Sequence, residues 1–181
     1  MTTSRSELPR VTTILKDAGL VDTSFFTDEA RDKGSALHLA LQFLDQHDLD
    51  WDSLDPVLLP RVRQYQRFLD EVRPEILAIE EEVVNEPLQY AGRLDRRVKI
   101  AGKELVLDLK TGGCAPFHQV QLAGYAGTFQ RPLARTCLHL FEDRYQLVEH
   151  RDRNDWVVFK AALTLTAWRR SNGASDVQRT M

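Results

Sequence analysis

The hydrophobic positions change period several times along the chain, and each change marks an element. Val11, Ile14, Leu15 and Ala18 recur at helical spacing, and Gly19 stops that short helix. Thr27 then precedes Asp28 and Glu29, an N-cap followed by first-turn acids. From there to about residue 46, Leu37, Ala40, Leu41 and Leu44 form one apolar stripe. Residues 48–56 are polar and read as a loop. Residues 58–72 are helical again, with Val62, Tyr65, Phe68, Leu69 and Val72 on one face and Pro60 in the first turn.

At Ile76 the period drops towards two. Residues 76–84, 89–100 and 104–110 read as strands, and Gly102 supplies the turn that makes the last two a hairpin. Thr111, Gly112 and Gly113 break the third strand, and Pro116 opens a helix to about residue 130. Its small side, Ala123, Gly124, Ala126 and Gly127, suits tight packing on a sheet. Residues 135–141 and 145–150 read as strands. A final helix, 152–170, turns Trp156, Phe159, Leu163 and Trp168 towards the core. Residues 1–10 and 171–181 are expected to be loose. The order α, α, α, β, β, β, α, β, β, α predicts an α/β (α+β) fold, a central mixed β-sheet flanked by helices in a single domain over 1–181.

Composition adds limits. At 43% hydrophobic and 28% charged the chain can bury a core. It has no apolar run near the ~20 residues that span a membrane, and no apolar leader, so a cytoplasmic protein without a membrane partner is expected. The net charge of −3 gives no global signature for nucleic acid, although acids gathered around a metal would be compatible with one. Arginines cluster at Arg61, Arg63 and Arg67, at Arg93, Arg96 and Arg97, at Arg131 and Arg135, and at Arg169 and Arg170; each group reads as a solvated face. Two cysteines cannot build a four-thiolate iron–sulfur or zinc site.

The chemistry concentrates in residues 92–113. Asp108 and Lys110, two apart in a strand, point one way, while Leu105, Leu107 and Leu109 point the other way into a core. With Asp95 on the preceding strand they suggest an oxygen-ligand site for Mg²⁺, to which the Leu109 carbonyl could add a ligand. A metal held by two carboxylates beside a lysine suits phosphodiester hydrolysis. As a lone triplet Asp-Leu-Lys would read as a surface ion pair. The context adds weight: an acidic strand with Glu80, Glu81 and Glu82 upstream, a Thr-Gly-Gly break, then Gln121 and Tyr125 four apart on one helix face. Gly34, which costs a helix roughly 1 kcal/mol, suggests close approach by a backbone or a ligand. His38 sits at the edge of its apolar stripe and on its own reads as a half-buried core histidine.

Five stretches in order, Gly34-Ser35-Ala36-Leu37-His38, Ile79-Glu80, Gly92-Arg93-Leu94-Asp95, Asp108-Leu109-Lys110-Thr111 and Gln121 to Tyr125, resemble the motifs of the PD-(D/E)XK nuclease superfamily, RecB-like exonuclease branch. The resemblance covers about residues 30–130. It implies a restriction-endonuclease-like core and a nuclease that hydrolyses DNA with Mg²⁺ or Mn²⁺. It implies Asp95 and Asp108 as metal ligands with His38 as a further one, an acid near the metal that is Glu80 by its spacing or Glu82 on the same strand face, and a catalytic Lys110. It implies Gln121 and Tyr125 contacting DNA or bracing the site, with Thr111 and Arg93 on the substrate side and the Leu109 carbonyl as the ligand added above. DNA is the implied partner, with a recombination or single-strand-binding protein beside it, in a bacterial or phage-infected cell. The chain lacks the four cysteines of iron–sulfur relatives and the nucleotide-binding motif of helicase fusions, so it resembles a stand-alone, phage-type exonuclease. A catalytically idle DNA-binding module and a structure-specific endonuclease are the alternatives.

Overall fold

The computed structural model describes residues 7–21, 27–131 and 133–173. Three helices come first: α1 (Val11–Asp17), α2 (Asp28–Asp45) and α3 (Leu59–Val72). Strands β1 (Glu75–Asn85), β2 (Tyr90–Ile100) and β3 (Lys103–Lys110) follow, then α4 (Pro116–Ala126), β4 (Ala134–Leu140), β5 (Tyr145–Glu149) and α5 (Asn154–Ser171). The element order is the one the hydrophobic pattern predicts. Thr27 caps α2 as its position suggests, its Oγ1 accepting from the Ala30 N–H at 3.1 Å. Ala101 and Gly102, both with positive φ, make the two-residue β2–β3 turn.

The sheet runs β1-β2-β3-β4-β5. Only β3 and β4 are parallel among these neighbours, because α4 crosses over between them; the other pairs are antiparallel. Helices cover both faces. Val11, Ile14, Leu15, Val106, Leu122, Tyr125 and Phe159 belong to the core between the sheet and α1, α4 and α5. Leu37, Leu41, Val62, Phe68, Leu107 and Leu138 belong to the core between the sheet and α2 and α3. β3 feeds both, with Val106 in the first and Leu105, Leu107 and Leu109 in the second.

β2 breaks this rule in an informative place. Leu94 and Val98 are four apart and would share a face of a regular strand, yet Leu94 lies in the first core and Val98 in the second. The switch coincides with Glu80 on β1, whose φ of 49° puts a non-glycine residue in the left-handed region. Glu80 and Asp95 stand at one register step, between the pairs Ile79–Arg96 and Glu81–Leu94. Strain of this kind collects where a side chain must be re-aimed.

Several expectations are corrected. Residues 7–10 are not loose: Leu8 is buried, the Pro9 carbonyl accepts from the Ala91 N–H at 3.0 Å, and Arg10 forms a two-bond pair with Glu82. The looseness expected of 1–6 and 174–181 lies outside the described residues, and Ser171 is still helical. Trp168 is 58% exposed rather than in the core, because α5 turns Phe159, Ala162 and Thr166 inward and Trp168 lies ~200° round from Thr166. The small side of α4 packs on α5 rather than on the sheet: a β-carbon at Gly124 would lie 2.6 Å from Phe159, and one at Gly127 would lie 2.3 Å from Trp156. α4 also ends at Ala126, short of residue 130. Among the described residues no backbone approaches Gly34, which lines an open cleft, so of the two expectations for it the close backbone is not seen.

Candidate active site

β2 and β3 pair from their shared turn as far as Arg96 and Leu107, and beyond that step no pair forms. The Leu109 N–H, freed from the ladder, donates to Asp95 Oδ2 at 2.7 Å. A strand residue sends its N–H and C=O to the same side, so the Leu109 carbonyl is aimed there too. The opening between the two strands is the floor of a cleft of about 820 Å³, walled by α2 on one side and by α4 and the start of α1 on the other.

Each side chain reaches the cleft for a local reason. Asp108 and Lys110 share the α4 face of β3 and touch, with Lys110 Nζ 2.6 Å from Asp108 Oδ2. Lys110 Nζ also donates to Gln121 Oε1 at 3.2 Å, and Gln121 Nε2 donates to the Tyr125 hydroxyl at 3.1 Å. The helical spacing of four residues brings Gln121 and Tyr125 together. Gly92 lets this row close: a β-carbon there would lie 2.8 Å from Tyr125 Cε1. From the opposite wall, α2 sets His38 Nδ1 3.7 Å from Asp95 Oδ1. His38, Glu80 and Asp95 each offer a ligand atom within 4.8 Å of the others. Thr111 and Arg93 line the same cleft, so all ten residues singled out from the sequence meet there. Of the three glutamates, Glu80 lines the cleft and pairs with Arg93 at 3.1 Å and Arg96 at 3.3 Å, Glu81 pairs with Arg97, and Glu82 pairs with Arg10.

The electrostatics suit a cation. Burial raises the Asp95 carboxyl to about 6, and the like charge of Asp108 adds to the rise. Burial acts to lower the Lys110 pKa, but the Asp108 and Asp95 carboxylates outweigh it and raise the pKa above its ordinary value. Lys110 is therefore an ammonium. Two carboxylates, a third acid and an imidazole are the hard and borderline donors that Mg²⁺ or Mn²⁺ accepts, so the residues fit such an ion.

Two residues built into the cleft and its floor carry no mark in the sequence. Arg10 lines the cleft from the stretch assigned to a loose terminus, and no local pattern marks it. Arg96, in a cluster that reads as a solvated face, is fully buried. Its Nε donates to Asp45 Oδ2 at 2.5 Å, and its Nη1 reaches the Asp95 carbonyl at 2.6 Å and Glu80 at 3.3 Å. It ties the cleft floor to α2. Other clustered arginines are also engaged, Arg61 with Glu142, Arg97 with Glu81 and Glu104, Arg135 with Asp155, and Arg170 with Asp17.

No family model and no curated protein sequence matches this chain. Among solved structures, the alkaline exonuclease LHK-Exo from Laribacter hongkongensis matches with a TM-score of 0.54 at 10% identity, over 97% of this chain and 93% of that one. The crystal structure of SSO0001 matches at 15% identity with a TM-score of 0.47, over 92% of this chain and 78% of that one. The fold is the restriction-endonuclease-like α+β fold, a five-stranded mixed sheet between helices, shared with LHK-Exo. No described helix is long and apolar enough to cross a membrane.

Proposed function

We propose that this protein is a metal-dependent nuclease that hydrolyses DNA phosphodiester bonds, acting as an exonuclease in recombination, repair or phage DNA processing. The observation that carries the reading is the convergence of Asp95, Asp108 and Lys110 where β2 and β3 part, with Gln121 held against Lys110. The fold shared with an alkaline exonuclease supports it.

In this reading Asp95 and Asp108 hold Mg²⁺ or Mn²⁺, with His38, Glu80 and the Leu109 carbonyl within reach. The bound ion supplies Lewis acidity towards a phosphoryl oxygen and lowers the pKa of a bound water. Lys110 is charged, so it donates a hydrogen bond and offsets negative charge gathering on the phosphorane-like phosphate, and does not serve as a free base. Gln121 fixes the lysine head through its Oε1. Tyr125 and Gly92 fix the Gln121 rotamer in turn. Arg93, Thr111 and Arg10 line the approach and would contact backbone phosphates.

Labelled single- and double-stranded DNA incubated with Mg²⁺ or Mn²⁺ tests this directly. Wild type should release nucleotides, and Lys110→Ala should be slower by about 100- to 1,000-fold. No metal-dependent cleavage of any DNA would favour an idle binding module. Cleavage undiminished in the variant would sink the site assignment. Attack on closed circular DNA would replace the exonuclease with an endonuclease.

A further inference from the structure

On the α4 side of the sheet, behind Asp108, a second set of donors converges that the nuclease reading does not use. His118 comes from the first turn of α4, and Cys137 and His139 come from β4, two apart and so on one face. All three are buried, and their donor atoms lie within 4.8 Å of one another. Cys114, exposed on the turn after β3, brings its Sγ to 3.2 Å from His139 Nε2.

We propose that Cys114, His118, Cys137 and His139 form a tetrahedral site for one Zn²⁺ ion. The donor set is two thiols and two imidazoles, the soft and borderline ligands that select Zn²⁺ over Mg²⁺. His139 is already oriented for the task. Its Nδ1 lies 2.7 Å from the Gly112 carbonyl, which can only accept, so Nδ1 carries the proton and Nε2 keeps its lone pair. A backbone carbonyl on the far nitrogen is the usual brace of a metal-bound imidazole. Burial, then the charge of Lys110, push the His118 ring down to about 4, so it is neutral at physiological pH.

Closure asks little of the chain. Zn–S of about 2.3 Å and Zn–N of about 2.0–2.1 Å set neighbouring ligand atoms roughly 3.5 Å apart, so the three buried donors, now within 4.8 Å of one another, would draw together, and Cys114, already 3.2 Å from His139 Nε2, would swing towards the other two. His118 would exchange one bond, the 3.2 Å contact from the Ala115 N–H to its Nδ1. Binding converts two thiols to thiolates and releases two protons, so the four ligands and the ion sum to zero charge. A neutral centre is compatible with the nearby pair of Asp108, whose Oδ2 is 4.0 Å from Cys137 Sγ, and Lys110. The ion would fasten the turn that carries Thr111 to β4.

The test uses the full chain, stripped of metal and held in excess Mg²⁺ to fill the acidic cleft, and titrated with Co²⁺. One equivalent should give a near-ultraviolet thiolate-to-cobalt band with the visible bands of a tetrahedral ion, and one equivalent of Zn²⁺ should bleach both. Asp95→Asn should leave the spectrum intact. Cys114→Ser, at an exposed position that tolerates substitution, should lose about half of the thiolate band, and Cys137→Ser should lose the rest of the site. Zn²⁺ should raise the Tm of wild type and not of Cys114→Ser. Absence of a thiolate band in wild type, or full retention of it in Cys114→Ser, would overturn the proposal and would leave the nuclease reading standing.

Discussion

Gly92 and Tyr125 occupy space that only a glycine leaves free: a β-carbon on Gly92 would lie 2.8 Å from Cε1 and 2.9 Å from Cδ1 of the ring. Val11 Cγ2 closes the other side at 3.2 Å. Gly92→Ala should therefore displace the ring, cost about 1–3 kcal/mol of stability and lower kcat by loosening Gln121. In the double variant with Tyr125→Ala the Gly92 penalty should shrink to what the Val11 contact alone imposes. Denaturant melts of the four proteins give the coupling; additive losses would show that the two residues do not meet.

Divalent-metal binding should depend on pH in a defined sense. A proton and the metal compete for Asp95, whose carboxyl sits at about 6. The apparent Mg²⁺ affinity should thus climb as pH rises to about 6 and flatten above it. Calorimetric titration of Mg²⁺ into metal-free protein across that range measures this, and a flat profile would remove Asp95 from the ligand set.

Stability of the metal-free protein carries two opposed pH slopes. Asp95 is raised in the folded state, so between the model-compound 3.8 and about 6 the folded protein holds the extra proton and stability falls as pH rises. His118 is lowered, so between about 4 and 6.5 the unfolded chain holds the extra proton and stability rises with pH. Asp95→Asn removes the first slope and leaves the second. Its Tm should climb more steeply than wild type across pH 4 to 6.5, as scanning calorimetry can show.

The buried Arg96–Asp45 pair should be intolerant of single changes. Both side chains have no exposed surface, Tyr65 donates to Asp45 at 2.9 Å, and Arg96 Nη2 has no partner among the described residues. Asp45→Ala removes the acceptor of the Arg96 Nε, leaves Glu80 at 3.3 Å as the acid facing the buried guanidinium, and should cost about 3–5 kcal/mol. Replacing both, Asp45→Leu with Arg96→Met, should recover most of that stability in urea melts. The proposed nuclease activity should stay low, because Arg96 also holds the Asp95 carbonyl and Glu80.

Residues whose neighbours are set by local periodicity were legible in the sequence. The alternation of β3 put Asp108 beside Lys110, and helical spacing put Gln121 beside Tyr125. Arg10, Arg96 and the switch in β2 were not, because each depends on packing between distant segments. Arg10 reaches Glu82 across 72 residues and Arg96 reaches Asp45 across 51. The left-handed backbone of Glu80 breaks the period of two on which strand reading rests. Trp168 failed for a similar reason: bulk suggested burial, while the angular position around α5 decided it.

The switch in β2 also bears on how the molecule opens. One half of that strand, Tyr90 and Leu94, is wall to one helical layer, and the other half, Val98, is wall to the opposite layer. Neither layer can peel from the sheet without tugging on a backbone the other layer holds. In amide hydrogen exchange the two halves of β2 should accordingly report a single opening free energy, and the acidic cleft sits at the seam.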